Sequence, residues 1–127
     1  MEEQIRKLYV EVSSRCNLRC KMCFRQSWVG ERFGDLDPAV FARVMDEPVL
    51  RDTGTVFFGG MGEPLVHPAL AEMAALASAR GKTAELVTNG TLLTREKVQE
   101  LLHAGISRIW VSIDELYENY GKIQVGS

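Results

Sequence analysis

Hydrophobic and polar positions along the chain follow two periods, one typical of β-strands and one typical of α-helices. Four runs rich in β-branched and aromatic residues predict strands at 8–12, 55–58, 83–88 and 108–113. Asp37 with Pro38 predicts the start of one intervening helix, and Pro68 and Thr94 predict the starts of two more. A further helix is predicted to begin in 115–123, so strand and helix alternate throughout.

The helical period also predicts which side chains face the core. Apolar residues three and four positions apart form these buried faces: Val40, Phe41, Val44 and Met45; Leu70, Met73, Ala74 and Ala77; Val98, Leu101 and Leu102. Gly81 and Gly105 stand where the second and third helices are expected to end.

Alternation of strands and helices predicts an α/β fold with a parallel sheet and right-handed crossovers. An open doubly wound sheet and part of a barrel both fit the pattern. A full eightfold barrel takes ~250 residues, and this chain has 127. As a barrel it is therefore the first half of a partial parallel (β/α) barrel, with about three and a half βα units. We expect 1–127 to be the N-terminal part of one domain whose barrel is truncated after its last residue.

Composition narrows the class of protein without identifying it. The chain has 15 basic and 17 acidic residues, 46% hydrophobic residues and 25% charged residues, which are ordinary values for a globular domain. The near-neutral charge gives no reason to expect a nucleic acid or an acidic lipid as a partner. No apolar run approaches the ~18 residues of a membrane span, and the charged segment 1–7 does not resemble a secretory signal.

All three cysteines, Cys16, Cys20 and Cys23, lie close together after the first strand. An odd number of clustered thiols does not form a closed disulfide framework, so we expect a metal site in a reducing, cytoplasmic compartment. Three thiolates can bind three irons of a cubane cluster and leave the fourth iron open. The alternative is a zinc site completed by His67 or His103, although His67 is better placed to cap a helix.

Each predicted strand is followed by a glycine-rich or polar cluster. The cysteines follow the first strand, 59–63 the second and 88–90 the third, while Ser112 and Asp114 lie at the end of the fourth. Because the carboxyl ends of parallel strands share one edge, where active sites of α/β proteins lie, we expect these clusters to meet there.

These same segments resemble the motifs of the radical S-adenosylmethionine (radical SAM) enzymes. Residues 16–23, CNLRCKMC, resemble the family's cluster loop, and residues 59–64, GGMGEP, resemble its glycine-glycine-glutamate segment. Residues 87–93, VTNGTLL, and 111–114, VSID, resemble its third-strand and fourth-strand segments. The resemblance covers nearly the whole chain, and its motifs occur in the family's order.

The resemblance implies a [4Fe-4S] cluster with Cys16, Cys20 and Cys23 as ligands and S-adenosylmethionine (SAM) on the open iron. It implies cofactor contacts for these further residues: Met22, Gly59, Gly60, Gly62, Glu63, Thr88, Asn89, Ser112 and Asp114. Among them, Gly60 and Glu63 are expected near the methionine amino group. Ser112 is expected near the ribose or carboxylate, and Met22 against the adenine.

The implied activity is reductive cleavage of SAM to methionine and a 5′-deoxyadenosyl radical, which abstracts hydrogen from a substrate. The implied electron donor is a flavodoxin or ferredoxin, and no protein side chain is singled out as catalytic. The motifs specify no particular substrate, and the expected class of reaction is the maturation of a cofactor or a peptide. Residues 25–28, RQSW, resemble maturases of tungsten-cofactor oxidoreductases.

Two other functions remain possible on the sequence alone. The first is a non-catalytic iron–sulfur or zinc-binding module. The second, an open-sheet nucleotide-binding domain using 59–62, is disfavoured because these glycines follow the second strand and lack the dinucleotide spacing. A partial barrel also leaves an unpaired edge and exposed apolar surface, so we expect self-association through the open barrel edge.

Overall fold

The computed structural model describes residues 4–15, 18–20, 34–60, 62–112 and 124–126. Its helices and strands follow in this order: β1 (Lys7–Glu11), β2 (Leu18–Cys20), α1 (Pro38–Met45), β3 (Thr55–Gly59), α2 (Leu70–Ala79), β4 (Thr83–Thr88), α3 (Arg95–His103), β5 (Ile106–Val111) and β6 (Gln124–Gly126). Short 3₁₀ turns lie at Pro48–Leu50 and Pro64–Val66. In the described part of the chain, no helix is long and apolar enough to cross a membrane.

Four strands form one parallel sheet in the order β1-β3-β4-β5. Helix α1 packs against α2, and α2 packs against α3, beside strands β4 and β5. The predicted parallel α/β architecture built from βα units is therefore confirmed. A bulge between Ala84 and Glu85 shifts the β4–β5 register, and Ser107 on β5 donates its hydroxyl to the Ala84 carbonyl across 3.2 Å.

The hydrophobic core lies between the helices and one face of the sheet. Alternate strand residues Val56, Phe58 and Leu86 are fully buried, together with Phe41 of α1. The rings of Phe41 and Phe58 lie 5.7 Å apart between centroids. Because full burial of such a side chain stabilises the fold by about 1.5–3 kcal/mol, these contacts fix the helices on this face.

The opposite face of the sheet carries aromatic and charged side chains. Tyr9 and Trp110 are 69% and 49% exposed. The Lys7 Nζ lies 4.9 Å from the Phe57 ring centroid, and Trp110 Nε1 donates to Glu85 Oε1 across 3.3 Å. This face is therefore partly open, as a partial barrel predicts, but self-association through its edge stays a prediction.

Local signals in the sequence predict the helices and β4 well. The Asp37 side chain caps α1 by accepting from the Ala39 amide, and Thr94 caps α3 by accepting from Lys97. Helix α2 buries the four residues predicted for it, and β4 has the predicted bounds. Helix α2 begins at Leu70 rather than Pro68, because the chain first forms a turn through Ala69.

Other predictions need correction. Val40 and Leu102 are 37% and 58% exposed, because each stands at the margin of its helix's apolar stripe. Strand β5 begins at Ile106, directly after the Gly105 turn, rather than at residue 108. The antiparallel β2–β6 pair was not predicted, and the helix expected in 115–123 lies outside the described residues.

Candidate functional site at the carboxyl edge of the sheet

The carboxyl ends of the parallel strands bring the predicted polar clusters together. Gly59 ends β3 beside Glu11 of β1, and the Ser112 amide after β5 donates to the Thr88 carbonyl across 2.8 Å. The described cofactor-contact candidates that share this edge are Gly59, Gly60, Gly62, Glu63, Thr88, Asn89 and Ser112. Cys16, Met22, Cys23 and Asp114 lie outside the described residues, and Cys20 is the last residue of β2.

Glu63 is the most enclosed charged residue of this edge, at 2% exposure. Its Oε2 accepts from the Leu65 amide across 2.8 Å and from the Thr88 hydroxyl across 2.7 Å. Its Oε1 accepts from the Asn89 amide across 2.6 Å. A buried carboxylate needs such donors to offset the loss of hydration, so Glu63 joins the end of β3 to the end of β4.

Thr88 and Asn89 are likewise engaged with the protein. The Thr88 hydroxyl donates to Glu63 and accepts from the Gly90 amide across 3.2 Å. The Asn89 side-chain oxygen accepts from the amide and the hydroxyl of Thr91. These hydrogen bonds form a structured turn after β4, and the contact of these residues with a cofactor or substrate stays a prediction.

The glycines after β3 have reasons within the protein for lacking a side chain. A Cβ on Gly62 would lie 2.0 Å from the Ser13 carbonyl oxygen and 2.7 Å from the Arg15 carbonyl oxygen. Gly60 has a φ of 108° and lies against the Glu11 side chain. The glycines therefore let the exit of β3 cross the segment that leads to the cysteines, and their predicted ligand contacts are not tested by this packing.

The cysteine segment begins and ends at a pair of adjacent backbone stretches, which we call the neck, residues 12–15 and 34–36. The Ser14 amide donates to the Gly34 carbonyl across 2.9 Å, and the Leu36 amide donates to the Val12 carbonyl across 2.7 Å. The Arg15 carbonyl accepts from the Glu63 amide across 2.7 Å. The neck therefore attaches the residues flanking the cysteines directly to the Glu63 segment.

Charge pairing reinforces the neck. Arg15 donates from Nε and Nη2 to the two oxygens of Asp35, across 2.9 and 2.7 Å. The Arg15 guanidinium lowers the pKa of Asp35 by its hydrogen bonds, the largest cause, and a hydrogen bond from Ser13 lowers it further. Sequence reasoning missed this pair because its members are 20 residues apart and lie in no recognisable motif.

His67 is unsuited to complete a zinc site. Its Nε2 is 2.7 Å from the Leu36 carbonyl oxygen, and its Nδ1 accepts from the Ala69 amide across 2.9 Å. Both ring nitrogens of this buried imidazole are therefore used. His67 binds the amide of Ala69, one residue before α2, so it stabilises the turn that leads into the helix and does not cap the helix as predicted, because α2 begins at Leu70. Within the described residues, no group of three His, Cys, Asp or Glu side chains could hold a metal ion.

The fold and the edge together define a class: a parallel α/β chain in which the residues that flank the cysteine segment, the glycine turn and the strand-end polar groups meet at one edge of the sheet. The Radical SAM superfamily profile matches residues 10–125. The chain belongs to the Radical SAM superfamily, and the resemblance drawn from the four motifs is confirmed.

Similar proteins include two curated relatives. One, a tungsten-containing aldehyde ferredoxin oxidoreductase cofactor-modifying protein of Pyrococcus furiosus, is 43% identical over 113 residues, which cover 86% of this chain and 31% of the relative. The other, a PqqA peptide cyclase of Gluconobacter oxydans, is 30% identical over 111 residues, which cover 87% of this chain and 31% of the relative. The chain thus spans about a third of the length of these relatives.

A solved structure shares the fold. The crystal structure of BtrN in complex with AdoMet and 2-DOIA superposes with a TM-score of 0.78 and 25% identity, and the match covers 96% of this chain and 52% of BtrN. The likeness extends to almost all of the chain and half of the solved protein, which agrees with a partial barrel.

Proposed function

We propose that this chain is the part of a radical SAM enzyme that binds a [4Fe-4S] cluster and SAM. The proposal rests on one observation, the network of hydrogen bonds at the carboxyl edge of the sheet. The neck that flanks the cysteines, the Glu63 carboxylate and the ends of β3, β4 and β5 are connected there by hydrogen bonds.

The donor set fits the cluster. Cys16, Cys20 and Cys23 offer three thiolates between the two stretches of the neck, and three thiolates leave one iron of a cubane without a protein ligand. When bound there, SAM and a reduced cluster supply a 5′-deoxyadenosyl radical for hydrogen abstraction. The protein supplies the ligands, the orientation and the exclusion of water.

The edge residues divide into two roles in this proposal. Gly60 and Ser112 are exposed at this edge, and the missing side chain of Gly60 lets a ligand approach its backbone closely. Glu63 is proposed to lie near the amino group of SAM, as the motif implies, and its carboxylate is held at this edge by the amides of Leu65 and Asn89 and the hydroxyl of Thr88. Met22 and Asp114 remain proposed contacts on the strength of the motif alone.

For the reaction of the whole protein, we propose maturation of a cofactor or a peptide. Both relatives described above are named for such work, one for modifying a cofactor and one for cyclising a peptide. The RQSW segment and the first relative favour a tungsten-cofactor branch within this class. A flavodoxin or ferredoxin is the proposed electron donor.

Anaerobic reconstitution with iron and sulfide tests the proposal. We expect about four irons per chain, loss of iron in the Cys16→Ala, Cys20→Ala and Cys23→Ala variants, and release of 5′-deoxyadenosine from SAM after reduction. His103→Ala is the matched control, because the exposed His103 lies on the last turn of α3. Zinc retained in place of iron, with loss in His103→Ala, would favour the binding-module alternative and contradict the proposal.

A further inference from the structure

Besides Ser14, whose hydroxyl forms hydrogen bonds with the Gly34 backbone, Asp35 is a side chain that links the two stretches of the neck. Its Oδ1 accepts from Ser13 Oγ across 2.8 Å and from Arg15 Nε across 2.9 Å, and its Oδ2 accepts from Arg15 Nη2 across 2.7 Å. One carboxylate from residues 34–36 thus binds two side chains of residues 12–15. Such a bidentate, charge-assisted arrangement fixes geometry more strictly than a single contact.

The pairing extends beyond the neck. Arg15 Nη2 also donates to the Val66 carbonyl across 3.1 Å, and the Ser13 hydroxyl accepts from the Arg15 amide across 3.0 Å. The carbonyl oxygen of Arg15 also accepts a hydrogen bond from the Glu63 amide. Arg15 is therefore fixed through backbone and side chain, and Cys16 is the next residue in the sequence.

The solvent exposure of this pair argues against a purely stabilising role. The side chains of Arg15 and Asp35 are 47% and 26% exposed, and exposed ion pairs contribute little to the stability of a fold. A closed neck has a different effect, because joining the ends of a segment reduces the conformational entropy that the segment loses when it is ordered. The segment between these ends contains all three cysteines.

We propose that Asp35 is a positioning residue for cluster binding. It helps to close the neck, and a closed neck favours the retention of iron by the cysteines. This inference rests on the proposed function and adds a residue that belongs to none of the four motifs. Asp35 touches Arg15 and Ser13, and it acts on the cluster ligands through them.

Asp37 provides a matched control two residues away. Its carboxylate accepts from the Ala39 amide across 2.9 Å and caps α1, and Asp37→Ala therefore destabilises the chain without opening the neck. Wild-type chain, Asp35→Ala and Asp37→Ala are reconstituted, and the loss of iron to an excess of chelator is followed by absorbance. We expect iron loss from Asp35→Ala to be about tenfold faster than from wild type, and loss from Asp37→Ala to match wild type.

Two further readouts separate positioning from general destabilisation. Asp35→Asn keeps an oxygen for Ser13 and Arg15 Nε, so it is expected to restore most of the iron retention. In the iron-free chain, amide hydrogen exchange at Ser14 and Leu36 is expected to accelerate in Asp35→Ala and to remain unchanged in Asp37→Ala.

The outcomes distinguish this inference from the proposed function. Equal rates of iron loss from Asp35→Ala and Asp37→Ala, with iron bound normally by wild type, would overturn the positioning role alone. Failure of wild type to bind an iron–sulfur cluster would overturn the proposed function and this inference with it. Faster iron loss in Asp35→Ala alone, with rescue by Asp35→Asn, supports both.

Discussion

Two buried charged side chains lie at opposite edges of the sheet and invite comparison. At the carboxyl edge, Glu63 is 2% exposed and accepts hydrogen bonds from the segments after β3 and β4. At the amino edge, Lys82 is 6% exposed, and its Nζ donates to the Leu50 carbonyl across 2.6 Å and the Thr53 carbonyl across 3.0 Å. Each side chain forms hydrogen bonds with loop backbone groups at its own edge of the sheet.

The difference lies in what the two groups connect. Lys82 joins the start of β4 to the turn before β3, where no sequence motif falls. Glu63 joins the glycine turn to the end of β4, and its amide reaches Arg15 beside the cysteines. Burial and hydrogen bonding are therefore alike at the two edges, and the neighbouring segments are what mark Glu63 as a candidate for function.

The largest expected difference between the two edges is in the loss of stability when one glycine at each edge is replaced by alanine. Gly62→Ala would bring a Cβ to 2.0 Å from the Ser13 backbone oxygen, and we expect the free energy of unfolding to fall by about 3 kcal/mol or more. Gly54→Ala, at the amino edge, meets nothing within 4 Å, so the expected change is below about 1 kcal/mol. Chemical denaturation followed by circular dichroism measures both; equal changes would show that the carboxyl edge is not closely packed.

A smaller loss of stability, equal at the two edges, is expected when the buried charged side chains are replaced. In Glu63→Gln, the new amide group faces one of the three hydrogen-bond donors that the carboxylate binds. In Lys82→Met, the carbonyls of Leu50 and Thr53 lose their donor. Each substitution should therefore lower the free energy of unfolding by about 2 kcal/mol. Thermal unfolding midpoints about 8 °C below wild type are expected for both variants. A midpoint unchanged in either variant would mean that its hydrogen bonds do not contribute to stability, and the comparison would fail on that side.

The smallest effect concerns the pH dependence of the neck. The pKa of Asp35 lies below its ordinary value of 3.8 because of Arg15, so its ionised form stabilises the folded state. That contribution is present above pH 3.8 and is lost as the pH falls through the lowered pKa. Arg15 and His67 are the charged or titratable groups that act on it.

For this exposed pair the contribution is expected to be below about 1 kcal/mol. Thermal unfolding midpoints of wild type and Asp35→Asn are measured from pH 6 to about pH 2. The two midpoints should differ most near pH 6 and should converge at the most acidic pH. A difference that grows as the solution becomes more acidic would contradict the assignment of Arg15 as the cause of the lowered pKa.

The sequence predicts best those features that depend on residues close along the chain. The buried face of α2 and the bounds of β4 match their predictions because periodicity and Gly81 specify them locally. The gathering of strand-end clusters at one edge also follows from the sequence, because parallel sheets place all carboxyl ends together. The four motifs add the family, which periodicity alone does not identify.

The remaining features depend on pairs that no local pattern specifies. The β2–β6 pair joins residues 18–20 to residues 124–126, and the Arg15–Asp35 pair links the two stretches of the neck across 20 residues. The glycine after Met61 illustrates a third case. Its sequence context indicates a ligand site, whereas the structure shows that Gly62 must also be small because the backbone of Ser13 and Arg15 lies against it.

Binding of SAM at the carboxyl edge of the sheet is tested by a SAM titration of three reduced, reconstituted proteins. Electron paramagnetic resonance of the cluster is recorded for wild type, Glu63→Gln and Lys82→Met. We expect a SAM-dependent spectral change in all three proteins, with the half-saturating SAM concentration unchanged in Lys82→Met and raised about tenfold in Glu63→Gln. A cluster spectrum that does not respond to SAM in wild type, or an equal rise of the half-saturating concentration in both variants, would overturn the proposed site.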